Sequence, residues 1–392
     1  MARKSGRSYG PMTYLVLGGR DVVDQHGFVN PPIVRGSTVL SPTVADLTSG
    51  SGRYTYGRRG SPTYESLTEA LQELEGGAHV ALTPSGLSAV TTALLSVLGS
   101  GDHLLMVDST YQPTRHLCDT LLRRLGIETT YYDPLIGAQI ADLIRPETKA
   151  VFVESPGSLT FEIQDVPAIA GAAHARGAAV VMDNTWATPL LFKAHDHGVD
   201  LSLTAGTKYL GGHADLLIGT ISANESYAPA LKAAHGAMGI HVGPEDIFLA
   251  LRGLRTLGVR LAHQQEAGLR VARWLNSRPE VARVMHPALE TDPGHALWKR
   301  DFEGASSLFG VELAPGSRAA VAAFLDGLEL FGLGYSWGGF ESLAIPYDAG
   351  RIRTASRWAP EGPTIRIHIG LEEVEDLLAD LEAGLARYTS TA

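Results

Sequence analysis

Five short runs rich in apolar residues recur between positions 79 and 183: HVALT (79–83), HLLMVD (103–108), IETTYYD (127–133), KAVFVE (149–154) and AAVVMD (178–183). Helical patterns lie between them, including LSAVTTALLSVLG (87–99), the segment around Cys118 and PAIAGAAHARG (167–177). A strand that is apolar along its whole length, rather than at alternate positions, must be buried on both faces. Such strands alternating with helices predict an α/β unit whose mainly parallel sheet is covered on each side. Ligands of such sheets bind beyond the carboxyl ends of the strands. Ser85-Gly86, Tyr111, Glu154 and Asp183 all fall there.

The 392 residues exceed what one hydrophobic core usually supports, so two compact units are expected. Residues 61–255 would form the α/β unit, opening with the helical pattern TYESLTEALQELE, which stops at Gly76-Gly77. Residues 256–392 would form a smaller α+β unit, with ASSLFGVELA and TIRIHIGLE as strands and RAAVAAFLDGL and EEVEDLLADLEAGLARY as helices. Between them, 247–276 reads as long helical structure with candidate breaks at Gly253 and Gly258. Residues 1–60, rich in Gly, Pro and Ser around isolated apolar pieces, cannot build a core of their own. They are expected to form an arm lying on another surface, such as a neighbouring subunit.

A formal net charge of −10 argues against nucleic acid as a partner. The arginine groups Arg58-Arg59, Arg123-Arg124 and Arg351 to Arg353 are short and read as solvated faces. The single cysteine, Cys118, excludes an intrachain disulfide and a cysteine-based metal site, which fits a reducing cytoplasm. Its helical setting suits an inert packed thiol. No run approaches the roughly 20 apolar residues of a membrane span, and YLVL near the start is too short for a signal-peptide core.

Function turns on Lys208, in TAGTKYLGGHADLLIG (204–219). Lysine is usually a solvated surface charge. Held in an apolar pocket it gives up its proton more readily and becomes a nucleophilic amine able to form a Schiff base. The local sequence leaves both readings open. An aldehyde cofactor on such a lysine needs an acid for a ring nitrogen, a phosphate cradle, an aromatic lid and a clamp for the substrate carboxylate. Asp183, an acid at a strand end, can pair with a protonated ring nitrogen or merely cap the next turn. The strand, small-residue turn and helix start around Ser85 make an anion site, where backbone N–H groups of Ser85, Gly86 and Leu87 would hold a phosphate and Thr207 would add a hydroxyl. Tyr111 is placed to stack on a flat ring. Tyr56 and Arg58, two apart in YGRRGSPT, would face the same side of an extended chain and suit one phosphate. Arg366, in the strand-like TIRIHIG, is either an exposed charge or a bidentate clamp on a carboxylate. Nothing local specifies what Ser336-Trp337-Gly338-Gly339 touches.

Other chemistries lack their parts. His195-Asp196-His197 resembles a metal pair but has no further ligands nearby and reads as a solvated loop, so no metal is expected. There is no P-loop and no G-x-G-x-x-G after a strand. Ser85 lacks the G-x-S-x-G setting of a serine hydrolase.

MDNTWATPL (182–190) and TKYLGGHADLLIG (207–219) resemble the Cys/Met metabolism family of pyridoxal-phosphate enzymes of fold type I. YGRRGSPT, ELEGG, DPLIGA, ESPGS and GYSWGGFESL are similar to its β-lyase branch, and the resemblance runs from about Tyr54 to Leu371. It implies an aspartate-aminotransferase-like fold, a large domain with a mainly parallel sheet plus a smaller C-terminal α+β domain, with pyridoxal 5′-phosphate bound to Lys208. It further implies Asp183 as partner of the pyridine nitrogen, Tyr111 stacked on the ring and sharing catalysis with Lys208, and Ser85, Gly86, Leu87 and Thr207 on the phosphate. Tyr56 and Arg58 would reach the phosphate of a neighbouring subunit, implying an active dimer within a homotetramer. Ser336, Trp337 and Arg366 would bind the substrate carboxylate. Two positions depart from the family pattern: Ala205 stands where many relatives carry a phosphate-binding serine, with Thr204 as a candidate replacement, and Ser61 stands where asparagine is common. The implied reaction is α,β-elimination of cystathionine to homocysteine, pyruvate and ammonia. A γ-acting relative is the alternative, against which Trp337 is the main feature, and a cofactor-free binding protein on the same fold is a third.

Overall fold

A computed structural model describes residues 9–391. Seven strands make the larger sheet: β1 His79–Thr83, β2 His103–Val107, β3 Glu128–Tyr132, β4 Thr148–Glu154, β5 Ala179–Asp183, β6 Leu201–Ala205 and β7 Gly219–Ala223. Their order is β1-β7-β6-β5-β4-β2-β3. Only β7 runs against its neighbours, pairing antiparallel with β1 and β6. The apolar runs behave as their composition requires: Leu104 to Val107, Val151 to Val153 and Val180 to Met182 are fully buried. Strand β7, GTISA, is small and polar enough to escape recognition from sequence, yet it too is buried along its length.

Helix Gly86–Val97 starts where β1 ends. Its N-cap is Ser85, whose Oγ accepts from Ser88 N at 3.2 Å. Helix Pro244–Asn276 runs unbroken through both glycines expected to interrupt it. A Cβ on Gly253 would lie 2.3 Å from the Gly211 carbonyl oxygen, and one on Gly258 would lie 2.2 Å from Met12 Sδ. These glycines admit close neighbours; they do not end the helix. Its first half packs with Leu67, Leu82 and Leu210, and its last turns with Val284, Phe309 and Ile367.

The second sheet is antiparallel, in the order β10-β11-β9-β8, from β8 Val281–Met285, β9 Leu308–Leu313, β10 Leu343–Tyr347 and β11 Thr364–His368. Trp186, just after β5, joins the two sheets by donating from Nε1 to the Leu308 carbonyl at 2.9 Å. Arg353 departs from the solvated face expected of its group: its side chain is 4% exposed and pairs with Glu162 at 2.8 Å.

The first eight residues of the expected arm lie outside the described ones. Helix Pro11–Leu17 packs on its own chain, with Leu15 buried and Arg255 donating to the carbonyls of Leu15 and Gly18 at 2.7 and 2.8 Å. Beyond it the apolar side chains turn outward, Val23 being 82% and Leu40 88% exposed. Cys118 is buried, and burial pushes its thiol up to about 12. Among the described residues, no helix is long and apolar enough to cross a membrane.

Candidate active site

Lys208 lies in the turn after β6, with its backbone N–H on the Ala205 carbonyl at 3.0 Å. Its Nζ donates to Ser336 Oγ at 2.5 Å and sits 5.5 Å from the centre of the Trp337 ring. Burial, with the Arg366 guanidinium and against Asp183, lowers the amine to about 8. The solvated-charge reading of Lys208 therefore fails, because a surface lysine pays no desolvation.

Asp183 and Glu154 end neighbouring parallel strands in register, and both are half-buried. Asp183 Oδ1 accepts from Thr185 N at 3.0 Å. Glu154 Oε2 accepts from Tyr111 N at 2.8 Å and Thr110 Oγ1 at 3.1 Å. Burial and the Asp183 charge hold Glu154 well above the carboxylate range; burial raises Asp183 as well, opposed by its bonds from Thr185 and by the Lys208 charge. Tyr111, four residues beyond the end of β2, is partly exposed; desolvation and the charges of Glu154 and Asp183 raise its hydroxyl, and Arg366 opposes them.

Gly86 and Leu87 open helix Gly86–Val97, so their N–H groups have no intrahelical acceptor. A Cβ on Gly86 would lie 2.6 Å from Ala205 Cβ, so the helix start rests directly on position 205. Thr204 points to the other face of β6, where its hydroxyl is buried without a partner. It does not replace the serine that Ala205 lacks. Thr207 Oγ1 accepts from Ile218 N at 3.1 Å.

Arg366, on β11, donates from Nη2 to the Ser336 carbonyl at 2.8 Å. Among the described residues no carboxylate pairs with it, and burial lowers it to about 10. Ser336 has a left-handed backbone, φ 78°. A cavity of about 570 Å³ opens here, lined by Thr207, Leu217, Asp246, Tyr335, Ser336 and Trp337 among others.

Lys208, Asp183, Tyr111, Arg366, Ser336 and Trp337 are thus brought together, and Thr207 shares the cavity with Ser336 and Trp337. Tyr56 and Arg58 are not: among the described residues neither makes a polar contact with any of these or with the Gly86 helix start. Arg58 lies in a 3₁₀ turn, Gly57–Arg59, and not in an extended run. The turn needs Gly57, whose added Cβ would come 1.8 Å from the Gly36 carbonyl oxygen. His195 is no solvated histidine either, since its ring bridges the Val199 carbonyl and Ser222 Oγ at 2.8 and 2.9 Å. His197 stacks on Phe192 at 4.3 Å.

Sequence reasoning placed Glu154 at a strand end without giving it a role, and overlooked His368 and Gln264. Gln264 donates to the Gly339 carbonyl at 2.9 Å. His368 was detectable as the residue two beyond Arg366 on one strand, hence on the same face.

The chain belongs to the Cys/Met metabolism PLP-dependent enzyme family, whose profile matches residues 12–386. The cystathionine β-lyase of Salmonella typhimurium is 46% identical over 386 residues, covering 96% of this chain and 98% of the relative. That of Escherichia coli K12 is 45% identical over 386 residues, with the same coverage of each. The crystal structure of cystathionine γ-synthase from Xanthomonas oryzae pv. oryzae, in complex with aminoacrylate and cysteine, matches with TM-score 0.91 and 36% identity over 98% of this chain and all of that one. The fold is therefore that of the fold type I enzymes, and the cofactor is pyridoxal 5′-phosphate.

The residues present fit that cofactor. A desolvated amine suits its aldehyde, the unpartnered amides at Gly86 and Leu87 suit its phosphate, and the half-buried Asp183 carboxyl suits its ring nitrogen.

Proposed function

We propose that this chain is a carbon–sulfur lyase that eliminates across the α and β carbons of L-cystathionine, releasing homocysteine, pyruvate and ammonia. The meeting of two groups at Ser336 supports this most. Its hydroxyl takes the Lys208 amine and its carbonyl takes Arg366, so a proton-moving base and a free guanidinium lie one residue apart. Bound pyridoxal phosphate supplies the sink for electrons released at the substrate Cα. The Lys208 amine takes the Cα proton. As the Cβ–S bond breaks, the electron pair goes to sulfur and the thiolate is protonated to homocysteine; the three-carbon fragment hydrolyses to pyruvate and ammonia.

In this reading Arg366 and Ser336 orient the substrate carboxylate, and Trp337 covers the amine and keeps water from it. Asp183 holds the proton of the ring nitrogen, Tyr111 stacks on the ring, and Ser85, Gly86, Leu87 and Thr207 hold the phosphate. β-Acting relatives at 45–46% identity against 36% for the γ-synthase favour β over γ chemistry.

The same reading makes the protein a cytoplasmic homo-oligomer, a dimer of dimers, in which Tyr56 and Arg58 reach the neighbouring subunit's phosphate. The outward Val23, Phe28 and Leu40 give the arm apolar surface to bury there. We divide the chain into the arm 1–60, the cofactor-binding domain 61–255 and the C-terminal domain 256–392, with helix Pro244–Asn276 shared between the last two.

Product analysis on cystathionine tests the activity. Pyruvate with homocysteine supports it, whereas 2-oxobutyrate with cysteine replaces it by γ-elimination. Purified protein that stays colourless with added pyridoxal phosphate would sink both.

A further inference from the structure

The loop that carries Ser336 and Trp337 has little of its own to hold it. It forms no regular element between Phe331 and Ser342, and Ser336 at φ 78° adopts a backbone that costs a non-glycine residue about 1 kcal/mol or more. Gly338, at φ 83°, lies flat on the lysine: a Cβ there would come 2.9 Å from Lys208 C and 2.8 Å from Tyr209 N. Whatever fixes Gly338 fixes how the loop rides over Lys208.

Two side chains of β11 grip the loop on either side of Trp337. Positions 366 and 368 project to the same face. Arg366 donates to the Ser336 carbonyl at 2.8 Å, and His368 Nε2 accepts from Gly338 N at 3.1 Å. The Gly339 carbonyl lies 3.4 Å from the same nitrogen but already receives Gln264 Nε2 at 2.9 Å. The other ring nitrogen settles the tautomer. His368 Nδ1 is 3.2 Å from Ser307 Oγ, and the Ser307 hydroxyl donates to the Ile369 carbonyl at 2.7 Å. Ser307 Oγ therefore accepts from the ring, which places the proton on Nδ1 and leaves Nε2 a lone pair for Gly338.

We propose that His368, as the neutral Nδ1-protonated tautomer, is a positioning residue that holds the Ser336-Trp337-Gly338 loop over Lys208 and so sets how tightly the site grips an amino-acid carboxylate. The ring is 1% exposed; burial, with the charges of Arg366 and Lys208, lowers it to about 3 and keeps it neutral. The proposal rests on the lyase reading for its link to turnover, but not for its link to carboxylate binding.

The experiment uses the holoenzyme with His368→Leu and His368→Gln, the amide oxygen of the latter able to face Gly338 N. Glycine, which has no leaving group, is titrated through the cofactor's absorption band, and KM and kcat are measured on cystathionine. His368→Leu should weaken glycine binding and raise KM by about 10- to 100-fold, the effect of stranding a buried donor, with a smaller change in kcat. His368→Gln should recover most of the loss. Glycine affinity unchanged in His368→Leu, or no recovery in His368→Gln, overturns the proposal. Wild-type enzyme that binds glycine but makes no pyruvate defeats the lyase reading alone. Should neither variant fold, neutron diffraction from wild-type crystals reads the proton directly, and a proton on Nε2 overturns the assignment.

Discussion

The two ends of the seven-stranded sheet treat polar groups in opposite ways. At the amino ends of the parallel strands they satisfy one another. The His103 ring lies between Thr148 Oγ1 and Thr130 Oγ1 at 2.8 and 2.9 Å. Asp200 accepts from His174 Nε2, Val180 N and Asn224 Nδ2 at 2.9, 2.7 and 2.8 Å. At the carboxyl ends, Lys208 and Arg366 are half-buried without a carboxylate in ion-pair contact, and Glu154 and Asp183 lie half-buried side by side. Closed networks of the first kind stabilise a fold, while desolvated charge without a counter-charge is stable only if something else supplies the partner. Asp108 sharpens the contrast, since it lies at a carboxyl end yet is closed. It accepts from the backbone N–H groups of Thr354, Ala355 and Ser356 and from Arg115. Position on the sheet therefore does not by itself mark chemistry; the lack of a counter-charge does.

The largest effect that can break this comparison is at Lys208. Lys208→Ala should lower kcat on cystathionine by about 10⁴-fold or more, since it removes both the base and the cofactor's anchor. A variant within tenfold of wild type would mean the unpartnered end is not where the chemistry occurs. Arg366→Ala comes next. Loss of a buried guanidinium that binds a carboxylate should reduce kcat/KM by about 100-fold, mostly through KM. Steady-state kinetics that show an unchanged KM would remove Arg366 from the clamp.

At the closed end the expectation reverses. Asp200→Ala strands three donors and should cost about 2–3 kcal/mol in urea unfolding of the holoenzyme while kcat stays near wild type. A large fall in kcat with unchanged stability would erase the distinction between the two ends.

How much of this was legible depends on whether the deciding contact is local. The strands β2, β4 and β5 were readable because burial on both faces leaves a continuous apolar run. Strands β7, β8 and β10 were not, because small or charged residues interrupt them. Lys208 and Asp183 stood out by their setting. The Glu154–Asp183 pair did not, because it exists only through the register of β4 on β5. Gly253 and Gly258 were misread because glycine was taken as a local signal of a break, whereas each admits a neighbour distant in sequence, from Gly211 and Met12 respectively. His368 was half legible: its strand face follows from Arg366, but its acceptor role depends on Gly338, thirty residues away.

The smallest effect concerns a residue that breaks the rule of the closed end. Glu75 is 4% exposed, and its Oε2 has no partner. Burial raises its carboxyl to about 8, with Ser202 offsetting part of that. Between pH 4.5, where the exposed acid titrates, and pH 8, the folded chain keeps a proton that the unfolded chain has released. Stability from this group is thus full below about pH 4.5 and declines as pH rises to 8, beyond which both states are ionised. Glu75→Gln keeps the shape and removes the titration. Its stability relative to wild type should grow across that window, by about 1.4 kcal/mol for each unit the folded carboxyl stays above 4.5, and then level off. Activity at a fixed pH should not change. If Glu75→Gln lowers turnover instead, the unpartnered carboxyl at this end has a function, and lack of a counter-charge marks chemistry at both ends of the sheet. If the stability difference is flat with pH, Glu75 has a partner in solution and the closed end has no exception.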